Sequence, residues 1–327
     1  MSPKRLAWPA AVLAVAAVGM LSLAAGTRAV PLSAVFDALL HGGGSPDALV
    51  VRSLRVPRTE VGLTAGAALG VAGAALQAVT RNPLADPGIL GLSQGAAAGV
   101  VLAIGFGLAN GFAGYVWYAF AGAVVAAFLV YAIAARGRDG ASPVKLALAG
   151  TALSAMTAGG TTVVLTSSSA TLDQFRFWQV GALSGRDADT VVRMLPFLAG
   201  GAVLVLACAR GLDALALGDE TARALGHRVR VRLCLTVLGV VLAATATGAA
   251  GPIGFVALTA PQLARRITRT PQLPLLCSAL TGAFVLVAAD LAARTLLPPL
   301  EIPVGALTSL VGGPYLLWLL GRRTATR

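Results

Sequence analysis

The sequence predicts an all-α integral membrane protein with about ten transmembrane helices, and three observations carry that expectation. The chain has 327 residues, of which 57% are hydrophobic and only 12% charged, with a mean hydropathy of +0.82. That is too apolar for an ordinary soluble domain. Its apolar residues are gathered into stretches near the roughly 20 residues that cross a bilayer, parted by short polar clusters. With the N-terminus placed in the cytoplasm, the inner segments hold 17 Lys and Arg and the outer ones seven, with Arg193 near a helix end. Cytoplasmic loops hold the excess of basic residues, so both termini are expected in the cytoplasm. The same asymmetry accounts for the net charge of +12 without a nucleic-acid partner.

The approximate spans are 7–26, 60–80, 89–108, 112–135, 144–167, 190–210, 229–248, 252–267, 273–293 and 303–321. They leave one transmembrane domain and no length for a separate soluble one. The first stretch follows Lys4 and Arg5 and approaches full spanning length, which favours a retained helix over a cleaved signal sequence. The outer segment after it carries a glycine-rich turn, HGGGSPD, at 41–47 and ends in the basic run LRVPR at 54–58. In the second span Gly62, Gly66, Gly70 and Gly73 recur at helical spacing, the pattern of close helix packing in a membrane. Pro83 and Pro87 in the turn RNPLADP close that helix.

In the fifth span Thr151, Ser154, Ala155, Ala158, Thr161 and Thr162 form one small, mildly polar helix face. Such a face suits the lining of a wide pathway, and it equally suits packing through small residues. The outer segment 168–189 contains LDQFRFWQVGALSG, whose Phe175, Phe177 and Trp178 predict a short helix with its rings at the membrane interface. The inner loop LALGDETARALGH at 215–227 predicts a cytoplasmic helix. Asp219 caps its start, Glu220 favours its positive end, and Gly226 can take the left-handed closing position. Two turns are too short to be stable alone, so this helix is expected to rest on a partner. The eighth span is short and opens at Gly251-Pro252, which predicts either a half-helix or a continuation of the seventh.

Little in the chain supports catalysis or ion coupling. Glu60 and Asp290 are the carboxylates nearest the spans, both towards helix ends, and Arg294 one turn after Asp290 predicts a local ion pair. An ion-coupled secondary transporter needs a coupling site at the midplane, which these residues do not supply. His41 and His227 fall on opposite sides of the membrane. Cys208, Cys234 and Cys277 sit inside spans without paired spacing, so no metal site or disulfide is expected. No nucleophile elbow or phosphate-cradling loop is present, so any ATP must be bound by another chain.

The run RVPRTEVGLTAGAALGVAGAALQAVTRNPLADPGILGLSQGA at 55–96 resembles the signature of the FecCD-type permeases, which import ferric siderophores, haem and cobalamin. The likeness continues through LALAGTAL, FWQVGALSG, LALGDETARALGH, GPIGFVALTAPQLARR, the 290–294 segment and EIPVGALTSLVGGPYLLWLL. This resemblance implies a type II ABC importer permease architecture. It implies a second permease subunit, identical or paralogous, with the pathway between the two. It also implies two cytoplasmic ATPase subunits holding ATP and Mg, an extracytoplasmic solute-binding protein, and residence in a bacterial cytoplasmic membrane. By the same resemblance Arg55, Arg58 and Arg294 dock the binding protein, and Asn82, Leu84 and Ser142 belong to cytoplasmic gates. Glu220, Thr221, Ala222, Arg223, Leu225 and Gly226 match the coupling helix that sits on the ATPase. One departure is Gln262, where the family commonly has His.

Overall fold

A computed structural model of the chain describes residues 3–26, 28–42, 44–109, 111–136, 143–185, 189, 192–198, 200–201, 203–204, 207, 229–268 and 275–324. Among these residues the only regular structure is helical. In chain order the helices are α1 (Pro3–Ala24), α2 (Leu32–Leu40), α3 (Pro46–Val50), α4 (Val56–Thr80), α5 (Leu92–Gly105), α6 (Gly111–Ala134), α7 (Pro143–Ser167), α8 (Ser169–Gln179), α9 (Val229–Ala250), α10 (Val256–Thr268), α11 (Leu275–Thr295) and α12 (Val304–Thr324). Part of the expected sixth span, 192–198, is helical; the rest of it lies mostly outside the described residues.

The segment before α4 turns at its glycines and is otherwise largely helical. Ser45 caps α3 through its side chain, Pro46 occupies the first turn, and one π turn over Val51–Arg55 joins α3 to α4. The result is a continuous helix, Pro46–Thr80, of 35 residues, about 52 Å long at 1.5 Å per residue. That exceeds the roughly 30 Å of hydrocarbon, so the basic run lies on a helical extension. The wider turn is where a helix can accommodate Pro57, which has no N–H to give.

α4 is the central element, and its glycines explain why. A methyl on Gly66 would sit 2.5 Å from the Gly282 carbonyl oxygen, on Gly70 2.0 Å from that of Ser278, and on Gly73 1.7 Å from that of Ala257. Backbones of α11 and α10 therefore approach α4 more closely than any side chain permits. α5 and α6 pack likewise, with a methyl on Gly122 only 2.2 Å from the Gly95 oxygen. Three apolar cores result: one around α4, α9, α10 and α11, one around α5 to α8, and a smaller one joining α1, α2 and α3.

α9 and α10 are separate helices. Gly251 has φ +78° and Phe255 φ +67°, and the chain reverses through the intervening residues. α10 has 13 residues, about 20 Å, which makes it a half-helix and not a continuation of α9. The expected interfacial aromatic helix forms as α8, but its rings are placed differently. Phe175 and Trp178 are buried and stack with centroids 5.9 Å apart, because α8 packs on α5 and buries one face. Phe177 alone of the three is exposed.

Candidate functional site

At one end of the bundle α1 stops, and its terminal carbonyls have no helical partners. Arginines from two other helices supply them. Arg55 Nη1 donates to the carbonyls of Leu23 (2.7 Å) and Ala24 (2.8 Å), and its Nη2 to that of Arg28. Arg294 Nη2 donates to the Ser22 carbonyl at 2.9 Å and to the Ser22 hydroxyl at 2.5 Å, which also pairs with Thr59. Cations suit this negative helix end.

Arg58 and Asp290, 232 positions apart in sequence, face each other beside this cap. Arg58 Nε lies 3.0 Å from Asp290 Oδ2 and its Nη2 2.9 Å from Oδ1, a bidentate pair. Arg58 Nη1 reaches Glu301 at 2.8 Å. The anticipated pair between Asp290 and Arg294 is present at 3.5 Å, but Arg58 is the closer partner of the carboxylate. Asp290 and Arg294 side chains are 3% exposed and Arg58 12%. A free docking rim of Arg55, Arg58 and Arg294 is thus not what the structure contains. These guanidinium groups fasten α1, α4 and α11 together, since a charge at this depth needs its partners inside the protein.

Three of the sequence motifs converge in a backbone junction below that cluster. Gly305 N–H donates to the Gly181 carbonyl at 3.0 Å, and Ala182 N–H to that of Ala250 at 3.0 Å. Gly181, at φ +63°, would place a methyl 2.5 Å from the Pro252 oxygen. The VGALSG, GPIGF and EIPVGAL segments therefore meet through main chain, which satisfies irregular backbone where water is scarce.

At the opposite end of the bundle Arg81 ends α4 with φ +50°. Asn82 Oδ1 accepts from Leu84 N–H at 2.9 Å, and Asp86 Oδ1 accepts from Gly88 N–H at 2.8 Å, starting a 3-10 turn over Pro87–Leu90. Burial pushes the Asp86 carboxyl above the usual carboxylate range, opposed in part by that N–H. A cavity of ≈ 50 Å³ is lined by Leu76, Thr80, Asn82, Ala85, Asp86, Leu90 and Ala147. Asn82 and Asp86 thus sit beside the first turns of α7, while Ser142 lies outside the described residues.

Sequence reasoning missed what holds this turn in place. Gln262 Nε2 donates to the Pro83 carbonyl at 2.9 Å, Arg265 Nη2 to Gln77 Oε1 at 2.6 Å, and Gln77 Nε2 to the Leu258 carbonyl at 3.2 Å. α10 is thereby tied to the end of α4. The available signal was Gln77 itself, an amide among small apolar residues that requires a partner.

Among the described residues four helices are long and apolar enough to cross a membrane, and α7 is the least covered of them. Thr151, Ala155 and Thr162 are exposed on it, and Ser154, Ala158 and Thr161 half-buried. Its threonines return their hydroxyls to carbonyls of their own helix: Thr151 to Leu148, Thr157 to Leu153, Thr161 and Thr162 to Ala158, and Thr166 to Thr162. Gly159 and Gly160 have nothing within 4 Å of a built methyl. The described residues leave much of this face open, and the larger apolar Val144, Leu148, Met156 and Val163 stand exposed on α7 as well. The six residues of the expected coupling helix, Glu220, Thr221, Ala222, Arg223, Leu225 and Gly226, fall outside the described residues. Among those described, no group of three His, Cys, Asp or Glu is placed to hold a metal.

Comparison with known proteins follows the same pattern from end to end. The model of the FecCD transport family matches residues 13–322. The ferric enterobactin transport system permease protein FepD of Escherichia coli (strain K12) is 38% identical over 327 aligned residues, covering 98% of this chain and 96% of that protein. The hemin transport system permease protein HmuU of Yersinia pestis is 36% identical, covering 97% and 94%. A solved metal-chelate type ABC transporter in an inward-facing conformation aligns with a TM-score of 0.83 and 26% identity, over 97% of this chain and 99% of that one.

Proposed function

Because this chain belongs to the FecCD transport family, we propose that it is the membrane-spanning permease subunit of an ATP-driven importer for a ferric siderophore. Haem and cobalamin are the neighbouring cargo classes. The observation that supports this most is the full-length likeness to permeases of that kind, FepD and HmuU included.

The geometry fits the role. α7 presents Thr151, Ala155 and Thr162 beside exposed apolar side chains, and its threonine hydroxyls are satisfied within the helix, so a bulky chelate meets few sticky donors as it passes. A second permease subunit, a copy or a paralogue, faces that side of α7 and completes the pathway. This chain itself carries no nucleotide site; two cytoplasmic ATPase subunits bind ATP and Mg and rest on residues 220–226. A solute-binding protein delivers cargo at the end where α1 stops, and both chain termini lie in the cytoplasm. The inner turn with Asn82 and Leu84 forms the cytoplasmic gate, closed or opened as α4 and α7 shift relative to each other.

Ion-coupled secondary transport is the rival mechanism. Asp290, the buried carboxylate of α11, is held by two arginines and is poorly placed to carry protons. The deciding experiment is uptake of a labelled ferric chelate into vesicles holding the assembled transporter. Uptake should require ATP on the ATPase side and persist when an uncoupler collapses the proton gradient. Uptake that stops with the gradient while ATP stays high refutes the proposal.

A further inference from the structure

α2 is not needed to cross the membrane, and its sequence is apolar on two sides. Val35 and Ala38 are fully buried against α1 and α3. Leu32, Phe36, Leu39 and Leu40 fall within an arc of about 100° at 3.6 residues per turn, and each is between 44% and 75% exposed. Ser33 and Asp37 follow on the next arc, where the Asp37 carboxylate accepts from His41 Nδ1 across 3.0 Å in the open. Among the described residues the helix therefore has three sides: one on the protein, one apolar and uncovered, one polar and uncovered.

That division matches a helix lying flat at a membrane surface, where one side meets protein, one meets acyl chains and one meets water. Two further features name the occupant of the apolar side. α1, on whose end α2 packs, is itself apolar and open at Val12, Leu13 and Leu21, each more than half exposed. Basic side chains also stand at both ends of α2. Arg28 is 72% exposed with Asp47 at 3.2 Å, and the exposed Arg52 lies over Gly42, where a methyl would sit 2.7 Å from its Nη1. Cations flanking an apolar face complement phospholipid phosphates above acyl chains.

We propose that α2 is an interfacial anchor: its Leu32, Phe36, Leu39 and Leu40 face inserts into the lipid leaflet on its side of the membrane, with Arg28 and Arg52 at the phosphate level. The anchor holds the extension formed by α3 and the π turn at a fixed height, and with it Arg55 and Arg58.

The test uses the full chain in vesicles of phosphatidylethanolamine and phosphatidylglycerol, with Cys208, Cys234 and Cys277 replaced by alanine. A nitroxide is attached in turn at Phe36→Cys, Leu40→Cys and Asp37→Cys. The collision ratio of oxygen to a water-soluble nickel chelate should favour oxygen at 36 and 40 and reverse at 37. A ratio favouring nickel at 36 and 40 puts the face in water and overturns the proposal. Protection from both reagents means that protein covers the face, a second copy or a partner, and overturns it equally. Phe36→Trp in the otherwise unaltered chain gives a second reading: its added emission should be quenched by lipids brominated near the headgroup end and spared by acrylamide. The opposite order again overturns the anchor. Neither measurement depends on transport, so failure here leaves the permease assignment untouched.

Discussion

Asp290→Ala isolates the charge cluster at the end of the bundle where α1 stops. The substitution removes the bidentate acceptor of Arg58 and the 3.5 Å counter-charge of Arg294. Two guanidinium groups, 12% and 3% exposed, then face each other without the carboxylate between them. Breaking a buried pair by deleting one partner costs about 3–5 kcal/mol, mostly because the abandoned charge stays buried. For a chain of this size that corresponds to a fall in melting temperature on the order of 10 °C. Glu301→Ala supplies the internal control. Its carboxylate meets the same Arg58 at 2.8 Å but is 37% exposed, so its loss should cost no more than about 1 kcal/mol. The assay is thermal unfolding of the purified permease in one detergent, followed by size-exclusion with fluorescence detection, on wild type and both variants. The reasoning is wrong if the two substitutions cost the same, or if Asp290→Ala shifts the midpoint by less than the control. One corollary concerns charge reversal. Arg58→Glu would set three carboxylates against one another, so reduced binding-protein association in that variant would report damage to the cluster and not a docking contact.

Glycines give the next contrast: Gly73→Ala, whose methyl would overlap the Ala257 carbonyl at 1.7 Å, should cost at least about 1–3 kcal/mol of stability and lower the yield of monodisperse protein. Gly159→Leu, with open space around it, should leave the melting midpoint unchanged and reduce vesicle uptake if α7 lines the pathway. In the turn after α4, Asp86 binds its proton more tightly in the folded protein than a free carboxylate does. Its contribution is therefore fully present below about pH 4 and is lost as pH rises through the folded value. Asp86→Asn keeps an acceptor for Gly88 N–H and should flatten that part of the stability profile; an unchanged slope in a pH series of melting midpoints would count against buried Asp86 as its source. Finally, Gly226→Val should uncouple hydrolysis from transport in the assembled complex, leaving membrane insertion intact. Normal uptake with normal stimulation of ATPase activity by the loaded binding protein would make 220–226 a plain connector.

Much of the protein follows from composition and spacing because a bilayer is a demanding solvent. Backbone groups must be paired within each segment, so apolar stretches become helices whatever surrounds them, and small residues repeating every three or four positions become contact faces. Gly62, Gly66, Gly70 and Gly73 and the stop at Pro83 were legible on those grounds, the motif order pointed to the family, and Gly251-Pro252 left a half-helix and a continuation of the seventh span equally open. The tertiary structure alone decided which charges meet. Arg58 and Asp290 are 232 positions apart, and no local rule connects them; Arg294 at i+4 was the only partner that helical spacing offered. For the same reason the basic run read as an outward-facing rim, whereas the fold turns its guanidinium groups onto the open end of α1, where unpaired carbonyls and a buried carboxylate repay their desolvation. Phe175 and Trp178 read as interfacial until α8 was seen to pack on α5. Periodicity within one segment reports how a helix divides its faces, but what each face meets depends on the placement of distant helices, and that information is spread along the whole chain.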